Sequence, residues 1–317
     1  MNPMNTAFVF PGQGSQSLGM LHDLAEQNPL ILDVFYAVSD ALNYDVWALV
    51  QTDAKKQLNQ TEFTQVAMLA ADVAVYRVLQ THGIEANISA GHSLGEYAAL
   101  VCADALDLAD AARLVQARGH LMQQTVPLGM GAMAAIVGLT DEQVQQLCLE
   151  ASTETQLVSP ANYNAIGQVV IAGHTDAVKR AMVFADAQGA KLAKQIPVSV
   201  PCHCALLHDA AIKFQNVLEA TPFMTPKRAV ISNVDLNIHT TPENIRRLLA
   251  EQLYKPVRWV ETIQVMKQKN VTQIVECGPG GVLAGLTKRI DRSISAISVN
   301  NPEQLSKILV LKESMDD

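Results

Sequence analysis

One short stretch of the sequence has residue types and spacing that could perform covalent chemistry. Residues 91–95 read Gly-His-Ser-Leu-Gly, between a short extended run at 87–90 and a helix-favouring run at 96–101. In this setting Gly-x-Ser-x-Gly is typical of a nucleophile elbow, whose glycines allow a turn too tight for a Cβ and expose the serine hydroxyl. The pattern therefore predicts Ser93 as a nucleophile. A Gly/Ser-rich loop without chemistry is the alternative.

An arginine lies on the apolar side of a predicted helix over 109–124. Arg118 is three or four positions from each residue of that apolar face, which is formed by Leu114, Val115, Leu121 and Met122. Helical spacing therefore points Arg118 inward. An inward guanidinium needs an anion, because an unpaired buried charge is costly. The anion is either an internal carboxylate, as a buried salt bridge, or the carboxylate of a substrate held by the guanidinium fork.

A histidine follows the predicted nucleophile in the chain, as it does in α/β-hydrolase arrangements. His203 lies in the run 201–204, Pro-Cys-His-Cys, and is either the base of the reaction or a structural histidine. Zinc is not expected here, because Cys-His-Cys is too compressed for the usual ligand spacing and no second ligand pair is evident. We expect neither a metal nor a cofactor.

The loop after the first predicted strand is a second candidate for catalysis. Residues 11–16 read Pro-Gly-Gln-Gly-Ser-Gln, which lacks the Lys-Ser/Thr ending of a phosphate-binding P-loop. An oxyanion hole needs one N–H from beside the nucleophile and one from another loop. A contribution to such a hole is therefore the better interpretation of this loop.

The elements that must position these residues follow an alternating pattern. Strands are predicted at 6–10, 87–90, 228–234 and 272–276, and helices at 64–82, 109–124, 242–254 and 282–290. The acidic tail 311–317 is expected to be frayed. Between these parts, strands at 131–138, 157–163, 168–173 and 191–198 and helices at 141–151 and 175–188 give the order βαββαβ of a ferredoxin-like unit. We therefore predict an α/β fold in which a ferredoxin-like small domain (128–199) is inserted into a large domain (1–127 and 200–317).

Composition excludes several classes of function. The chain has 317 residues, of which 49% are hydrophobic and 17% charged, and a net charge of −8. A large core is therefore possible, and nucleic-acid binding is not expected. Residues 1–5 lack a basic region and no long apolar run follows, so neither a signal peptide nor a membrane span is expected. Five scattered cysteines predict reduced thiols and a cytoplasmic location.

Several stretches together resemble the malonyl-CoA–acyl carrier protein transacylase family of bacterial type II fatty acid synthesis. The resemblance runs from residue 8 to about residue 302. It depends on seven motifs in order: Phe10-Pro11-Gly12-Gln13-Gly14-Ser15-Gln16, Gly91-His92-Ser93-Leu94-Gly95-Glu96-Tyr97, Ala117-Arg118-Gly119, Gly131-Ala132-Met133, Pro201-Cys202-His203-Cys204, Gln252-Leu253-Tyr254 and Gly278-Pro279-Gly280. It implies an α/β-hydrolase-related large domain, a ferredoxin-like small domain and a site in the cleft between them.

The resemblance also implies roles, position by position. Ser93 matches the family nucleophile, His203 its base, and Arg118 the arginine that binds the malonyl carboxylate. The oxyanion hole would be formed by the backbone N–H groups of Gln13 and Leu94. The histidine would be oriented by the backbone carbonyl of Gln252, in place of a triad carboxylate. The implied reaction transfers a malonyl group from malonyl-CoA to acyl carrier protein through a malonyl-serine ester, and a monomer is expected.

Three positions depart from the family pattern. Cys202 stands where serine is common, Val66 where proline often follows Thr-Gln, and Gly281 where lysine often follows Gly-Pro-Gly. None removes a catalytic atom, but the missing lysine puts one contact to the carrier protein or to coenzyme A phosphates in doubt.

The carrier protein is expected to be acidic and would need a local basic patch on this acidic chain. Candidates for that patch are Lys191, Lys194, Lys255, Arg258, Lys267, Lys269, Lys288, Arg289 and Arg292.

Three other functions remain open: an acyltransferase of a polyketide pathway, a serine thioesterase or esterase, and a non-catalytic scaffold that binds carrier proteins.

Overall fold

Two sheets of different kinds organise the chain in the computed structural model, which describes residues 5–198 and 200–316. Met1–Met4, Ser199 and Asp317, which the predicted domain ranges include, lie outside those residues. The first sheet has five parallel strands in the spatial order β7-β2-β1-β8-β9: β1 (Thr6–Phe10), β2 (Ile88–Gly91), β7 (Ala229–Ile231), β8 (Gln273–Cys277) and β9 (Ser295–Val299). The carboxyl ends of these strands therefore meet along one edge.

Both faces of the parallel sheet are buried, as its nearly continuous apolar strands require. Phe8 and Phe10 point into one core cluster, and Ala7 and Val9, which alternate with them, point into another. The helices that surround the sheet are α1 (His22–Gln27), α2 (Leu30–Leu42), α3 (Val46–Gln51), α4 (Thr61–Thr81), α5 (Gly95–Cys102), α6 (Leu108–Thr125), α9 (His208–Ala220), α10 (Pro242–Glu251), α11 (Trp259–Gln268), α12 (Val282–Ile290) and α13 (Pro302–Asp316).

The second sheet is antiparallel and comes from one continuous part of the chain. Its strands lie in the spatial order β4-β5-β3-β6: β3 (Gly131–Val137), β4 (Val158–Ala165), β5 (Gln168–His174) and β6 (Leu192–Ile196). Helices α7 (Asp141–Ala151) and α8 (Thr175–Ala187) share a third core cluster with it. Thr140 caps α7 through a capping box with Gln143, which confirms the predicted helix start.

Every predicted strand and helix is present, although the predictions for four segments differ from the structure. Strand β9 and helices α1, α2, α3, α9, α11 and α13 were not predicted. The predicted amphipathic helix at 64–82 begins at Thr61, and α4 is buried all round, because it packs against α2, α5 and α6. The predicted strand 228–234 is only Ala229–Ile231 long, and the predicted helix 242–254 ends at Glu251; both ends shape the site described below.

The fourth difference is the C-terminal tail. The expectation of a frayed tail at 311–317 is wrong as far as residue 316, where α13 ends. Leu305 and Ile308 of α13 are buried, and Lys312 donates a hydrogen bond to the carbonyl of His82. These contacts hold the helix against the rest of the molecule. None of the described helices combines the length and apolar character needed to span a bilayer.

Candidate active site

Ser93 lies at a sharp turn between β2 and α5. Its φ of 52° is in the left-handed region, which is strained for a residue with a side chain. The turn is closed by two glycines that could not carry a Cβ: at Gly91 it would overlap the backbone of Gly95, and at Gly95 it would overlap the carbonyl oxygen of Phe10. The local geometry is therefore that of the predicted nucleophile elbow.

Asn233 fixes this turn, although the sequence reasoning did not identify it. Its Oδ1 accepts a hydrogen bond from the Ser93 N–H at 2.7 Å, and its Nδ2 donates to the Gly91 carbonyl at 2.6 Å. Asn233 was assigned to the strand 228–234, but it lies beyond β7, because its N–H bonds to the Glu96 carboxylate and not to a neighbouring strand. The available signal was a Ser-Asn pair directly after an apolar strand, at the edge where parallel strands end.

Ser93, His203 and Gln252 form a hydrogen-bonded chain. His203 Nε2 lies 2.8 Å from Ser93 Oγ, and His203 Nδ1 lies 2.7 Å from the Gln252 carbonyl oxygen. A carbonyl only accepts, so Nδ1 carries the proton and Nε2 is free to accept one from the serine hydroxyl. Burial, and after it the positive charge of Arg118, lowers the pKa of His203 to about 3. The imidazole is therefore neutral at physiological pH, as a general base must be.

Pro256 explains why the Gln252 carbonyl is available to the histidine. The N–H groups of Gln252 and Lys255 still bond to carbonyls four residues earlier, at Leu248 and Glu251. The next N–H in this series would come from residue 256 and bond to Gln252. Because proline has no N–H, the Gln252 carbonyl has no helical partner and accepts from His203. A proline four residues after Gln252 is visible in the sequence and indicates that this carbonyl lacks a helical donor.

Arg118 points inward from α6, as its helical spacing predicts, and only 1% of it is exposed. Its Nη2 donates to Ser93 Oγ at 3.2 Å and to Gln252 Oε1 at 3.0 Å, and its guanidinium carbon lies 5.5 Å from the centre of the Tyr97 ring. Within the described ranges no carboxylate lies within ion-pair distance of Arg118. The alternative of a direct internal salt bridge is therefore wrong, and Nε has no hydrogen-bond partner among the residues that the structure describes.

The two residues predicted to form an oxyanion hole, Gln13 and Leu94, both line the cavity at Ser93. Neither backbone N–H donates a hydrogen bond to another described residue, and Leu94 directly precedes α5. Their position agrees with two free donors beside the nucleophile, and the role itself stays a prediction.

The cavity lies where the two sheets face each other and has a volume of about 690 Å³. The antiparallel sheet contributes Met133, Asn162, Asn164, Val170 and Ile196 to its lining. Strand β4 is also connected to the parallel-sheet side by two hydrogen bonds, between His92 Nε2 and Asn164 Oδ1 at 2.9 Å and from the Tyr163 N–H to the Val257 carbonyl at 2.9 Å. A concave site of this size suits a small acyl group with part of its carrier.

Two of the three departures from the family pattern, at Cys202 and Gly281, have distinct local environments. Cys202 lines the cavity, and burial raises the pKa of its thiol to about 11, so it is not a thiolate at neutral pH. Gly281 precedes α12 with a φ of 129°, a conformation that would strain a lysine. All five cysteines are free, and no group of three metal-binding side chains occurs among the residues that the structure describes.

Comparison with known proteins gives the same result along almost the whole chain. A model of the acyl transferase domain matches residues 7–301. The malonyl CoA-acyl carrier protein transacylase of Escherichia coli strain K12 is 50% identical over 306 residues, which are 96% of this chain and 99% of that protein. The protein of the same name from Bacillus subtilis strain 168 is 40% identical over 312 residues, 98% of each chain.

Solved structures agree with the sequence comparisons. The malonyl CoA-acyl carrier protein transacylase of Coxiella burnetii has a TM-score of 0.95 and 47% identity, with 97% of this chain and 98% of that chain covered. A type II PKS acyl-carrier protein in complex with its malonyl-transacylase contains a chain with a TM-score of 0.94 and 50% identity, with 96% of this chain and 99% of that chain covered. The chain therefore belongs to the acyl transferase family, among the malonyl-CoA–acyl carrier protein transacylases.

Proposed function

We propose that this protein transfers the malonyl group of malonyl-CoA to the phosphopantetheine thiol of acyl carrier protein. One observation carries the proposal: Ser93 Oγ lies within hydrogen-bond distance of both a neutral imidazole, on His203, and a buried guanidinium, on Arg118. The first can remove the serine proton, and the second can bind an acyl group that carries a negative charge.

The first half-reaction forms a malonyl-serine ester. His203 Nε2 accepts the Ser93 proton as Oγ attacks the thioester carbonyl carbon, and the carbonyl π electrons move to its oxygen. The N–H groups of Gln13 and Leu94 stabilise that oxyanion; removing one such donor typically costs about 10²–10³-fold in rate. When the tetrahedral intermediate collapses, the C–S bond breaks and the leaving CoA sulfur takes the proton from His203.

The second half-reaction is the reverse with another thiol. The carrier-protein thiol gives its proton to His203 and attacks the ester carbonyl, and Ser93 Oγ leaves with that proton. No step requires a cofactor. His203 is oriented throughout by the Gln252 carbonyl, which does not gain or lose charge as the imidazole is protonated.

Arg118 is proposed to select the acyl group. Malonyl differs from acetyl by one carboxylate, which a guanidinium can bind through two parallel hydrogen bonds. Its Nε has no partner and its Nη2 is shared with two neutral oxygens, so the arginine enters the reaction without a bound carboxylate. An acetyl group would leave this buried charge unpaired, which disfavours it by about 2–5 kcal/mol.

Hydrolysis is the main alternative reaction, because a thioesterase uses the same elbow. The histidine of such hydrolases is usually oriented by a carboxylate, whereas His203 Nδ1 faces a carbonyl. Free CoA should be followed after mixing the protein with malonyl-CoA and no acceptor. We expect one equivalent to be released in a burst, followed by almost none. Continued release would identify a hydrolase, and no release with no adduct would identify a non-catalytic scaffold.

We propose fatty acid synthesis as the pathway, with a polyketide pathway as the second candidate. The second candidate is favoured by the similarity to the malonyl-transacylase found in complex with a type II PKS acyl-carrier protein. Transfer rates to purified fatty acid and polyketide carrier proteins, measured side by side, distinguish the two.

The finer description of the fold is also a proposal. The spatial order of the antiparallel sheet is β4-β5-β3-β6. When these four strands are numbered 1 to 4 along the chain, the order is 2-3-1-4, with two helices on one face. This supports a ferredoxin-like small domain at 128–199, inserted into an α/β-hydrolase-related large domain at 1–127 and 200–317. We propose that the protein acts as a monomer. A cytoplasmic location stays a prediction from the cysteine content.

A further inference from the structure

A buried carboxylate lies directly beneath the elbow without reaching the cavity. Glu96 follows Ser93 by three residues and is 1% exposed. Its Oε1 lies 2.7 Å from Nε2 of His239, and its Oε2 accepts hydrogen bonds from the side chain of Gln252 at 2.7 Å and from the backbone of Asn233 at 3.1 Å. His239 is also buried, and its Nδ1 lies 3.3 Å from Asn244 Oδ1.

Glu96 determines which way the Gln252 amide points. A carboxylate only accepts hydrogen bonds, so the amide nitrogen of Gln252 must face it. The same nitrogen donates to the Ser93 carbonyl at 3.1 Å. The amide oxygen is therefore directed to the other side, where it accepts from Arg118 Nη2. The opposite orientation would put two donors against each other at Arg118 and two acceptors against each other at Glu96.

His239 gives Glu96 a partner other than the arginine. Only the Gln252 amide separates the carboxylate from the guanidinium, and a buried carboxylate without a partner is strongly disfavoured. The hydrogen bond from His239 Nε2 satisfies Oε1 on the side away from Arg118. Without it, the most favourable partner for Glu96 would be the Arg118 guanidinium.

We propose that Glu96 and His239 form a positioning pair that keeps Arg118 available for the substrate carboxylate. The pair holds the Gln252 amide between Glu96 and Arg118, and so prevents an internal ion pair that would compete with malonyl. Neither residue touches the substrate. The inference rests on the proposed role of Arg118, and it predicts that the pair controls the preference for malonyl over acetyl and not the reactivity of Ser93.

The test compares the rates at which Ser93 is acylated by malonyl-CoA and by acetyl-CoA, followed by intact-protein mass. For His239→Leu we expect the malonyl-to-acetyl rate ratio to fall about tenfold or more, with the acetyl rate within about threefold of the unchanged chain. His239→Gln retains a donor and should restore most of the ratio. Adding Glu96→Gln to His239→Leu removes the carboxylate that would otherwise pair with Arg118, so this double variant should restore most of the ratio.

Ile245→Val is the control for a change in the buried core near the pair. Ile245 is buried on α10 and follows Asn244 in the chain, but its side chain forms no hydrogen bond with Glu96 or His239. Thermal unfolding of every variant separates lost stability from lost selectivity. Equal losses of both acylation rates, an unchanged ratio in His239→Leu, or a ratio that stays low in the double variant would overturn the inference. If His239→Leu does not fold, His239→Met, which also lacks a donor to the Glu96 carboxylate, decides by the same outcomes. Absence of a malonyl adduct on the unchanged chain would instead overturn the proposed function, and this inference with it.

Discussion

Ser93 Oγ has two nitrogen neighbours with different roles. His203 Nε2 at 2.8 Å can take its proton, whereas Arg118 Nη2 at 3.2 Å donates to it and brings a positive charge close to the imidazole. That charge adds to the effect of burial and keeps His203 unprotonated. In the proposed mechanism the same arginine therefore keeps the base unprotonated and binds an anionic acyl group.

The lowered pKa of His203, about 3, predicts an unusual pH profile. Only the neutral imidazole can accept the Ser93 proton, and a depressed pKa means that this form is lost only when the pH falls far below 6.5. We expect the single-turnover rate of Ser93 malonylation to stay level as the pH is lowered from 8 to 5. Rapid-quench mass spectrometry measures it. An inflection near pH 6.5 would mean that the free enzyme has an ordinary histidine.

Arg118→Ala should reverse the acyl preference. Loss of the guanidinium removes the partner of the malonyl carboxylate and should lower malonyl transfer about 10²-fold or more, while acetyl transfer is maintained or rises. Arg113→Ala is the control on the same helix, because Arg113 is exposed and pairs with Asp110 on the surface. Steady-state transfer rates with both donors are the measurement. Equal losses for both acyl groups would remove Arg118 from substrate selection.

At the scale of elements, the site depends on where a helix and a strand stop. Helix α10 ends so that the Gln252 carbonyl is free, and β7 ends so that Asn233 can bind the elbow. Beyond the first end, Pro256 cannot supply an N–H to the Gln252 carbonyl. Beyond the second, the Asn233 N–H bonds to a buried carboxylate.

Pro256→Ala tests the first of these ends. The alanine would supply an N–H that competes with His203 for the Gln252 carbonyl, so we expect malonylation of Ser93 to slow by about three- to tenfold, the effect of weakening one hydrogen bond. Pro242→Ala, at the N-terminus of α10, is the control and should leave the rate unchanged. Single-turnover acylation is the measurement; identical rates for both variants would contradict this role of Pro256.

Local patterns were sufficient to predict much of the site. Glycine spacing indicates the turn at Ser93, and helical periodicity points Arg118 inward, because both properties depend on neighbours in the chain. The partners of Asn233 and His239 could not be predicted in this way, since Ser93 and Glu96 lie 140 and 143 residues away from them. For the same reason the all-round burial of α4, which packing against α2 and α6 produces, was not predicted.

At the scale of the whole molecule, the cavity is completed only where the two sheets meet. The parallel-sheet side supplies the reactive groups, and the antiparallel sheet supplies a wall from β3 to β6.

Strand β6 is an edge strand, and the segment Ile196–Val198 at its end lines the cavity. Side chains alternate along a strand, so Lys194 lies on the same face as Ile196. Several other candidates for the basic patch already have acidic partners, among them Lys255, Arg258 and Lys267.

Lys194→Glu should therefore weaken carrier-protein docking. We expect kcat/KM for the carrier protein to fall about tenfold at low salt, with less difference at high salt, because docking charges are screened. Malonylation of Ser93 from malonyl-CoA should change by less than about twofold. Lys179→Glu, on α8 across the same sheet, is the control. Transfer to the carrier protein is measured at several salt concentrations, and equal effects of the two variants would exclude Lys194 from the docking surface.

The most direct measurement is the intact mass of the protein after brief incubation with malonyl-CoA, for the unchanged chain and for Ser93→Ala. The proposed mechanism predicts one added malonyl group on the unchanged chain, its removal when carrier protein with a free thiol is added, and no addition to Ser93→Ala. An adduct that persists in Ser93→Ala, or an unchanged chain that never gains the group, would contradict acyl transfer through Ser93.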